Sequence, residues 1–286
     1  MILTVFTPTY NRAKLLPRLY ESLCAQTSSD FEWLIVDDGS GDNTESVVHE
    51  FINEGKIQIK YFKIPNGGKY KAINYAVPKA QGTLFMVLDS DDMLFDKYVI
   101  QIIEQYYRRI ENNKKLCGIV GNKHFRTNEI IGSKVDYNVL ESDFVSYRES
   151  LNVTGDKAEV IKTDILSRFP FPESKEKFCP EGLILNRIAL NYNALFINRP
   201  FMKCEYQPDG LSASVKKSRC HNPLMFMTYY YEYCKLPNAK YINKVKRSII
   251  YWACFSSSGN VGLSYMKKYF FYTRPLGWIA RKLNLL

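Results

Sequence analysis

The chain has 286 residues, of which 46% are hydrophobic and 24% charged, with a formal net charge of +10. This composition is typical of a globular protein with one large domain or two that share a core. The longest purely apolar stretch, residues 249–255, is far shorter than the roughly 20 residues that span a bilayer. No basic segment with an apolar core precedes the first apolar run, so we expect a cytosolic chain without a secretory signal. Seven scattered cysteines and three dispersed histidines exclude a zinc site of the finger type.

The first 120 residues alternate apolar runs with helical patterns. We predict strands over residues 2–6, 31–37, 57–62, 84–89 and 117–121, and helices over residues 13–26, 43–54, 69–80 and 96–112. Alternation of this kind predicts βαβ units with right-handed crossovers and therefore a mostly parallel sheet flanked by helices.

After residue 121 the pattern is less regular. Short polar segments reach residue 160, and we then predict a helical turn over 164–168, a helix over 181–192 and an extended segment over 194–206. Further helices are predicted over residues 224–235, 240–256, 262–271 and 276–285. A change of composition places a boundary near residue 210.

The fourth predicted strand ends in an acidic cluster of Asp89, Asp91 and Asp92, with Ser90 between them. Because open α/β sheets bind ligands at the carboxyl ends of their strands, this cluster lies at a favourable place for a site. Three close carboxylates repel one another unless a cation neutralises them, and oxygen donors suit Mg²⁺ or Mn²⁺. Alternatively, Asp91 or Asp92 caps the helix that starts near residue 96.

The first three strands also end in polar residues. Their loops read Thr7-Pro8-Thr9-Tyr10-Asn11-Arg12, then Val36-Asp37-Asp38-Gly39-Ser40, then Asn66-Gly67-Gly68-Lys69-Tyr70-Lys71. Backbone N–H groups beside Arg12 suit a phosphate or a nucleoside carbonyl, and Lys69 or Lys71 suits a diphosphate. Asp38 can accept from a pyrimidine N–H, while Asp37 holds a ribose hydroxyl or braces its own loop. Each loop alone is also typical of a turn, but all four converge on one edge of the sheet.

Taken together, these four motifs resemble, in order and spacing, the nucleotide-diphospho-sugar domain of glycosyltransferase family 2. The resemblance covers about residues 1–115 and extends more loosely to about residue 205, where Gly155-Asp156-Lys157-Ala158-Glu159-Val160 and Pro180-Glu181-Gly182-Leu183-Ile184 resemble a bacterial subgroup. It implies an α/β protein of the GT-A fold, a Rossmann-like mostly parallel sheet with a helical C-terminal tail. We expect a nucleotide-sugar-binding part over 1–120, an acceptor-binding part of the same unit over 121–209, and the tail over 210–286.

The resemblance implies inverting transfer of a hexosyl or N-acetylhexosaminyl group from a nucleotide-diphospho-sugar, usually UDP-linked, with Mn²⁺ or Mg²⁺ as cofactor. The acceptor is a saccharide or lipid-linked saccharide of bacterial surface polysaccharide synthesis. Carried onto this sequence, Thr7 and Asp38 contact the base, Asp89 lies near the ribose, and Asp91 or Asp92 binds the metal. The full set expected at the donor nucleotide is Thr7, Pro8, Thr9, Arg12, Asp37, Asp38, Lys69, Asp89 and Ser90.

An inverting transferase needs a carboxylate to take the proton of the acceptor hydroxyl. In the family this base commonly lies in a Glu-Asp pair, and the matching stretch here reads Pro180-Glu181-Gly182. We therefore expect Glu181 to be the base, with Asp156 in reserve and Glu159 third. The alternative for Glu181 is an acid that the dipole of a helix start favours.

The tail carries nearly all of the charge excess. Residues 210–286 contain 13 Lys and Arg against one acid, Glu232, interleaved with aromatic residues. This pattern favours an anionic membrane surface, so we expect a peripheral protein on the inner face of the cytoplasmic membrane. A solvated basic face is the alternative, and nucleic-acid binding is disfavoured because no recognised module accompanies the charge.

Two other functions compete with the transferase. A non-catalytic nucleotide-sugar or saccharide-binding protein would keep the fold and lack the base. A sugar-1-phosphate nucleotidyltransferase would need a glycine- and arginine-rich loop after the first strand, and the stretch from Thr7 to Arg12 contains no glycine.

Overall fold

A computed structural model of the chain describes residues 1–205, 215–256, 258 and 270–283. The strands within these ranges are β1 (Leu3–Thr9), β2 (Phe31–Asp37), β3 (Ile59–Lys63), β4 (Leu84–Val87), β5 (Met93–Leu94), β6 (Leu116–Phe125), β7 (Val139–Ser142), β8 (Lys157–Lys162) and β9 (Asn193–Cys204). The helices within them are α1 (Leu16–Cys24), α2 (Thr44–Glu54), α3 (Lys69–Ala76), α4 (Val99–Ile110), α5 (Phe144–Ser150), α6 (Thr163–Leu166), α7 (Gly182–Ala189), α8 (Val215–His221), α9 (Pro223–Lys235), α10 (Tyr241–Phe255) and α11 (Arg274–Lys282).

All of these strands join one sheet, in the order β3-β2-β1-β4-β8-β6-β9-β5, with β7 paired to β9. Strands β1 to β4 are parallel to one another, as the βαβ pattern predicted. Strand β8 then enters antiparallel between β4 and β6. The sheet is therefore parallel from β3 to β4 and mixed beyond β4, where β6 and β9 are again parallel to each other.

The parallel strands are apolar throughout because helices cover both of their faces. Val5, Ile35 and Met86 belong to the core on the side of α1, α2 and α4. Phe6 and Phe85 belong to the core on the other side, beneath α3 and α7. Because both faces of the sheet are buried here, the polar groups of β1, β2 and β4 that can reach a ligand lie at the ends of these strands.

Helices α9 and α10 pack against each other, and α9 also packs against α7. They form a third apolar cluster around Tyr230 and Trp252. Helix α11 lies on α10, where Gly277 fits against Trp252. The helices predicted over 224–235 and 240–256 are confirmed within two residues, while residues 262–269 of another predicted helix and the boundary near residue 210 lie outside the described residues. Every helix in the described ranges is too short or too polar to cross a membrane.

Candidate functional site

The carboxyl ends of β1, β2 and β4 meet at one edge of the sheet, hereafter the rim. Lys69, the first residue of α3, lies at its centre. Its Nζ is 2.6 Å and 2.9 Å from the two carboxylate oxygens of Asp89 and 2.7 Å from Oε1 of Glu181. Three residues that are far apart in the sequence thus form one ion-paired group. Glu181 is 48% exposed and Asp89 33% exposed, so both carboxylates are open to a ligand.

The ion pairs determine the charge of this group. Burial opposes the ionisation of Asp89, but Lys69 and then Lys123 outweigh it and lower the pKa of Asp89. Burial likewise opposes the charge on Lys69, but Asp89 and Glu181 raise the pKa of the lysine well above its usual value. The rim therefore keeps Lys69 protonated and Asp89 ionised near neutral pH.

The two candidate metal ligands differ in their surroundings. Asp92 is nearly buried; its Oδ2 accepts a hydrogen bond from the Cys204 thiol at 3.2 Å and lies 4.0 Å from Nζ of Lys123. Burial raises the pKa of Asp92 to about 7, against the influence of Lys123. Asp91 is only partly buried, and its backbone oxygen accepts from Nη2 of Arg18 at 2.6 Å. Asp91 is thus the more accessible carboxylate.

The donor groups on the rim fit a cation that the substrate helps to hold. Among the described residues, no cluster of three or more His, Cys, Asp or Glu side chains could hold a metal ion by itself. Mg²⁺ and Mn²⁺ are often bound through one or two carboxylates together with substrate phosphates, and Asp91 offers such an oxygen donor. Asp92 faces inward toward Lys123 and Cys204, so it fits this role poorly.

The second motif ties the loops of the rim together. Asp37 is buried and accepts from the Ser40 N–H at 2.7 Å and from the Tyr61 hydroxyl at 2.7 Å. Of the two roles predicted for Asp37, these contacts correspond to the bracing of its own loop. Asp38 accepts from the N–H groups of Gly67 at 2.7 Å and Gly68 at 2.8 Å. Burial raises the pKa of Asp38, although these two N–H groups favour its ionised form. Asp38 is thus joined through both carboxylate oxygens to the backbone of the third motif, and its contact with a base stays a prediction.

The first motif is mostly internal. The fully buried Thr7 hydroxyl donates to the Leu88 oxygen at 2.8 Å and accepts from Nε1 of Trp33 at 2.9 Å. The Thr7 side chain has no exposed surface, and the contact of Thr7 with the base stays a prediction. Thr9 is also buried, and its hydroxyl has no hydrogen-bond partner among the described residues.

The remaining predicted donor residues differ in how open they are. Pro8 and Arg12 are partly exposed near the rim, and the Arg12 N–H donates to the Thr44 hydroxyl at 3.2 Å. Ser90 is nearly buried inside the acidic turn. Arg12, Lys69 and Asp89 are therefore the predicted side chains best placed for a ligand.

Three basic residues of the rim were missed from the sequence. Lys123 of β6 faces Asp92, Arg18 of α1 pairs with Glu205 and holds Asp91, and Nζ of Lys177 contacts the side-chain oxygen of Asn66 at 2.5 Å. Arg18 and Lys177 have the spacing of ordinary surface cations, and Lys123 lies at the end of a strand whose partner β8 was not predicted. No local signal could have located them.

The three candidate bases differ in their position relative to the rim. Glu181 lies just before α7 and on the rim. Glu159 pairs across the sheet with Val120, so it points toward the α3 and α7 side, within electrostatic range of Lys123 and Glu181. Asp156 is exposed at the turn that precedes β8, and none of the described rim side chains contacts it. Of the three, Glu181 is the carboxylate that pairs with Lys69 in the described part of the chain, and its role as the base stays a prediction.

The raised pKa of Glu159 predicts that the stability of the wild type relative to a Glu159→Gln variant depends on pH. Burial raises the pKa of Glu159 from 4.5 to about 7, so between these pH values the folded protein binds more protons at this site than the unfolded chain. Stability due to this group therefore falls with rising pH, and we expect Glu159→Gln to be more stable than the wild type at pH 8 by about 1 to 2 kcal/mol. Near pH 4.5 the two proteins should unfold alike.

Urea unfolding at both pH values measures this difference. The exposed Glu173→Gln serves as the matched control and should show no pH-dependent change. Equal stability of Glu159→Gln and wild type at pH 8 would contradict the raised pKa of the Glu159 carboxylate.

The chain is similar to known proteins in the sequence of residues 4–122 and in its fold. Residues 4–122 match the family model described as glycosyl transferase family 2. A Mycoplasma genitalium protein named as an uncharacterized glycosyltransferase is 36% identical over 114 residues, covering 38% of this chain and 38% of that protein. The poly(ribitol-phosphate) beta-N-acetylglucosaminyltransferase TarS of Staphylococcus aureus is 33% identical over 96 residues, covering 33% of this chain and 17% of TarS. The matches thus span well under half the length of these relatives.

Two solved structures share the architecture over nearly the whole chain. TarS residues 1–349 in complex with UDP-GlcNAc superpose with a TM-score of 0.63 at 21% identity, covering 98% of this chain and 79% of that one. The mannosyltransferase PcManGT of Pyrobaculum calidifontis, solved with GDP-Man and Mn²⁺, gives a TM-score of 0.59 at 16% identity, covering 98% of this chain and 86% of that one. At these identities the likeness concerns the fold, and it confirms the expected GT-A class.

Proposed function

We propose that the protein is an inverting, metal-dependent glycosyltransferase, because residues 4–122 match the family model described as glycosyl transferase family 2. It transfers a sugar, of the hexosyl or N-acetylhexosaminyl type, from a UDP-linked donor to a saccharide or lipid-linked saccharide. The acceptor belongs to the synthesis of a bacterial surface polysaccharide. TarS and PcManGT, solved with a UDP-sugar and a GDP-sugar respectively, support a nucleotide-diphospho-sugar as the donor class.

The observation that carries this proposal is the joining of Glu181 to the acidic end of β4 through Lys69. The lysine holds Glu181 and Asp89 at 2.7 Å and 2.6 Å, so an exposed carboxylate lies beside the edge where such sheets bind ligands. Glu181 takes the proton of the acceptor hydroxyl while that oxygen bonds to the anomeric carbon of the donor. The bond from that carbon to the diphosphate breaks, and the nucleoside diphosphate leaves with the electron pair.

The chain's own cations and carboxylates divide the remaining work. Lys69 and Arg12 lie where they can meet the charge of a diphosphate, and Asp91 would hold Mn²⁺ or Mg²⁺. When bound, the ion neutralises charge that develops on the leaving diphosphate. Lys69 also orients Glu181, so the same lysine would contact both the diphosphate of the donor and the base.

A release assay tests the proposal. The protein is incubated with UDP-sugars, Mn²⁺ and a pool of simple glycosides, and UDP is measured. We expect acceptor-dependent UDP release with at least one donor. Donor binding without release from any donor would favour the non-catalytic binding protein instead.

We propose further that residues 210–286 hold the enzyme on an anionic membrane surface, at the inner face of the cytoplasmic membrane. Leu276 and Ile279 of α11, Tyr272 just before it and Leu283 just after it recur at spacings of four, three and four residues. All four are exposed, so they form one apolar stripe along this segment. The segments 240–256 and 270–283 contain Lys and Arg but neither Asp nor Glu. An exposed apolar stripe within a basic surface is the pattern of interfacial helices.

The stripe predicts a loss of vesicle binding on substitution. We expect a triple variant with Leu276→Ser, Ile279→Ser and Leu283→Ser to bind phosphatidylglycerol-rich vesicles at least about tenfold more weakly, because each change removes apolar area that would enter the interface. Flotation of wild type and variant measures this. Leu190→Ser, an equally exposed apolar site outside the tail, is the matched control. Unchanged flotation of the triple variant would exclude the stripe as the contact.

A further inference from the structure

The residue that follows the proposed base is packed against a tyrosine from the C-terminal helices. A Cβ atom on Gly182 would lie 3.2 Å from Cε2 and 3.3 Å from the hydroxyl oxygen of Tyr229 in α9. A side chain at position 182 would therefore press on this ring. The glycine therefore permits the Tyr229 ring to pack against the residue that follows Glu181.

The start of α9 is tied to the segment that leads to Glu181. Oδ1 of Asn222 accepts from the N–H groups of Lys177 at 2.9 Å and Phe178 at 3.0 Å. The Glu176 carboxylate in turn accepts from the N–H groups of Leu224 at 2.9 Å and Met225 at 2.8 Å, which belong to the first turn of α9. These reciprocal bonds fix the start of α9, the helix of Tyr229, to the segment that leads to Glu181.

A second set of contacts joins the two helices farther along. Arg187 of α7 pairs with Glu232 of α9 through two hydrogen bonds of 2.8 Å and 2.7 Å. The rings of Phe178 and Phe226 stack with centroids 5.3 Å apart. Bidentate pairs and stacked rings give the junction of α7 and α9 a defined geometry.

Tyr229 differs from its neighbours on α9 in what it leaves open. Tyr230 is 1% exposed, and the hydroxyl of Tyr233 donates to the Glu149 carboxylate. Tyr229 is only half-buried, and among the described residues its hydroxyl has no hydrogen-bond partner. Tyr229 therefore keeps some exposed surface next to Gly182, the residue that follows the base, and its hydroxyl can still bond to a ligand.

We propose that Tyr229 is the aromatic platform of the acceptor-sugar subsite, an inference that rests on the proposed transferase function. The apolar C–H face of a pyranose ring packs on an aromatic ring, as flat amphipathic ligands do in polar pockets. A sugar on Tyr229 presents a hydroxyl to Glu181, next to the anomeric carbon of a donor on the rim. The C-terminal helices then supply part of the active site in addition to any contact with the membrane.

The test measures binding of methyl glycosides to the full chain in the presence of UDP and Mn²⁺, by saturation-transfer NMR. The glycosides are the methyl glucoside, galactoside, mannoside and N-acetylglucosaminide. We expect the wild type to bind at least one of them through its ring C–H groups. Tyr229→Ala should weaken that binding about tenfold, while Tyr229→Phe should stay within about threefold of wild type because the ring remains. Tyr231→Ala, which changes a partly buried tyrosine elsewhere on α9, is the control and should bind as the wild type does.

Activity provides the second readout. Tyr229→Ala should raise the KM for the acceptor while the KM for the donor and acceptor-independent UDP release stay near wild type, which a merely structural role would not produce. Glycoside binding that is absent in the wild type or retained in Tyr229→Ala overturns the subsite. Glycoside binding that depends on Tyr229, with no UDP release from any donor, supports the subsite and overturns the transferase function instead.

Discussion

The Glu181→Gln variant is expected to lose sugar transfer by about three orders of magnitude, the usual contribution of a positioned general base. An amide cannot take the proton of the acceptor hydroxyl at neutral pH. The side-chain oxygen of glutamine can still accept from Lys69, which lies 2.7 Å from Oε1 in the wild type, so the rim should keep its geometry. The rate constant kcat for acceptor-dependent UDP release measures the loss, and the affinity for UDP should change little.

Glu173→Gln is the matched control for this experiment, since Glu173 is an exposed acid on the same segment before α7. It should transfer sugar at the wild-type rate. If Glu181→Gln keeps more than a tenth of the wild-type kcat, the base lies elsewhere. Glu159, which faces the same side of the sheet, would then be the first residue to change.

Removal of the Asp91 carboxylate should abolish the metal-dependent part of donor binding. We expect Asp91→Asn to weaken UDP binding in the presence of Mn²⁺ by about two orders of magnitude, because a divalent cation contributes several kcal/mol when it neutralises a diphosphate. Without Mn²⁺, or with a chelator, the variant and the wild type should bind UDP alike. Titration calorimetry under both conditions measures the difference.

Asp92→Asn separates the two candidate ligands. The Asp92 carboxylate is nearly buried against Cys204 and Lys123, so its replacement should alter stability more than the response to Mn²⁺. A full Mn²⁺ response in Asp91→Asn together with its loss in Asp92→Asn would reverse the assignment. Such a result would require the acidic turn to rearrange when the donor binds.

The sequence alone determined the parallel half of the fold and the location of the rim. The apolar runs of β1, β2 and β4 are local patterns, and each strand ends within three residues of its predicted place. Because the carboxyl ends of parallel strands share an edge, the convergence of Asp37, Asp89 and Lys69 followed from topology. Strand β8 escaped prediction because its polar residues alternate weakly between Lys157 and Lys162, and its place beside β4 depends on a pairing with distant residues.

Only the tertiary structure decided which of the rim residues face a ligand. Thr7 and Asp38 turn inward because their polar atoms satisfy Trp33, Leu88 and the glycine loop, a demand that burial imposes and that no local pattern reveals. The ion pairs of Lys69 with Glu181 and the packing of Tyr229 on Gly182 join segments that are far apart in the chain. Side-chain direction depends on the full set of packed neighbours, whereas strand and helix periodicity depends on a few adjacent residues. For this reason the rim could be located from the sequence, but its chemistry could not.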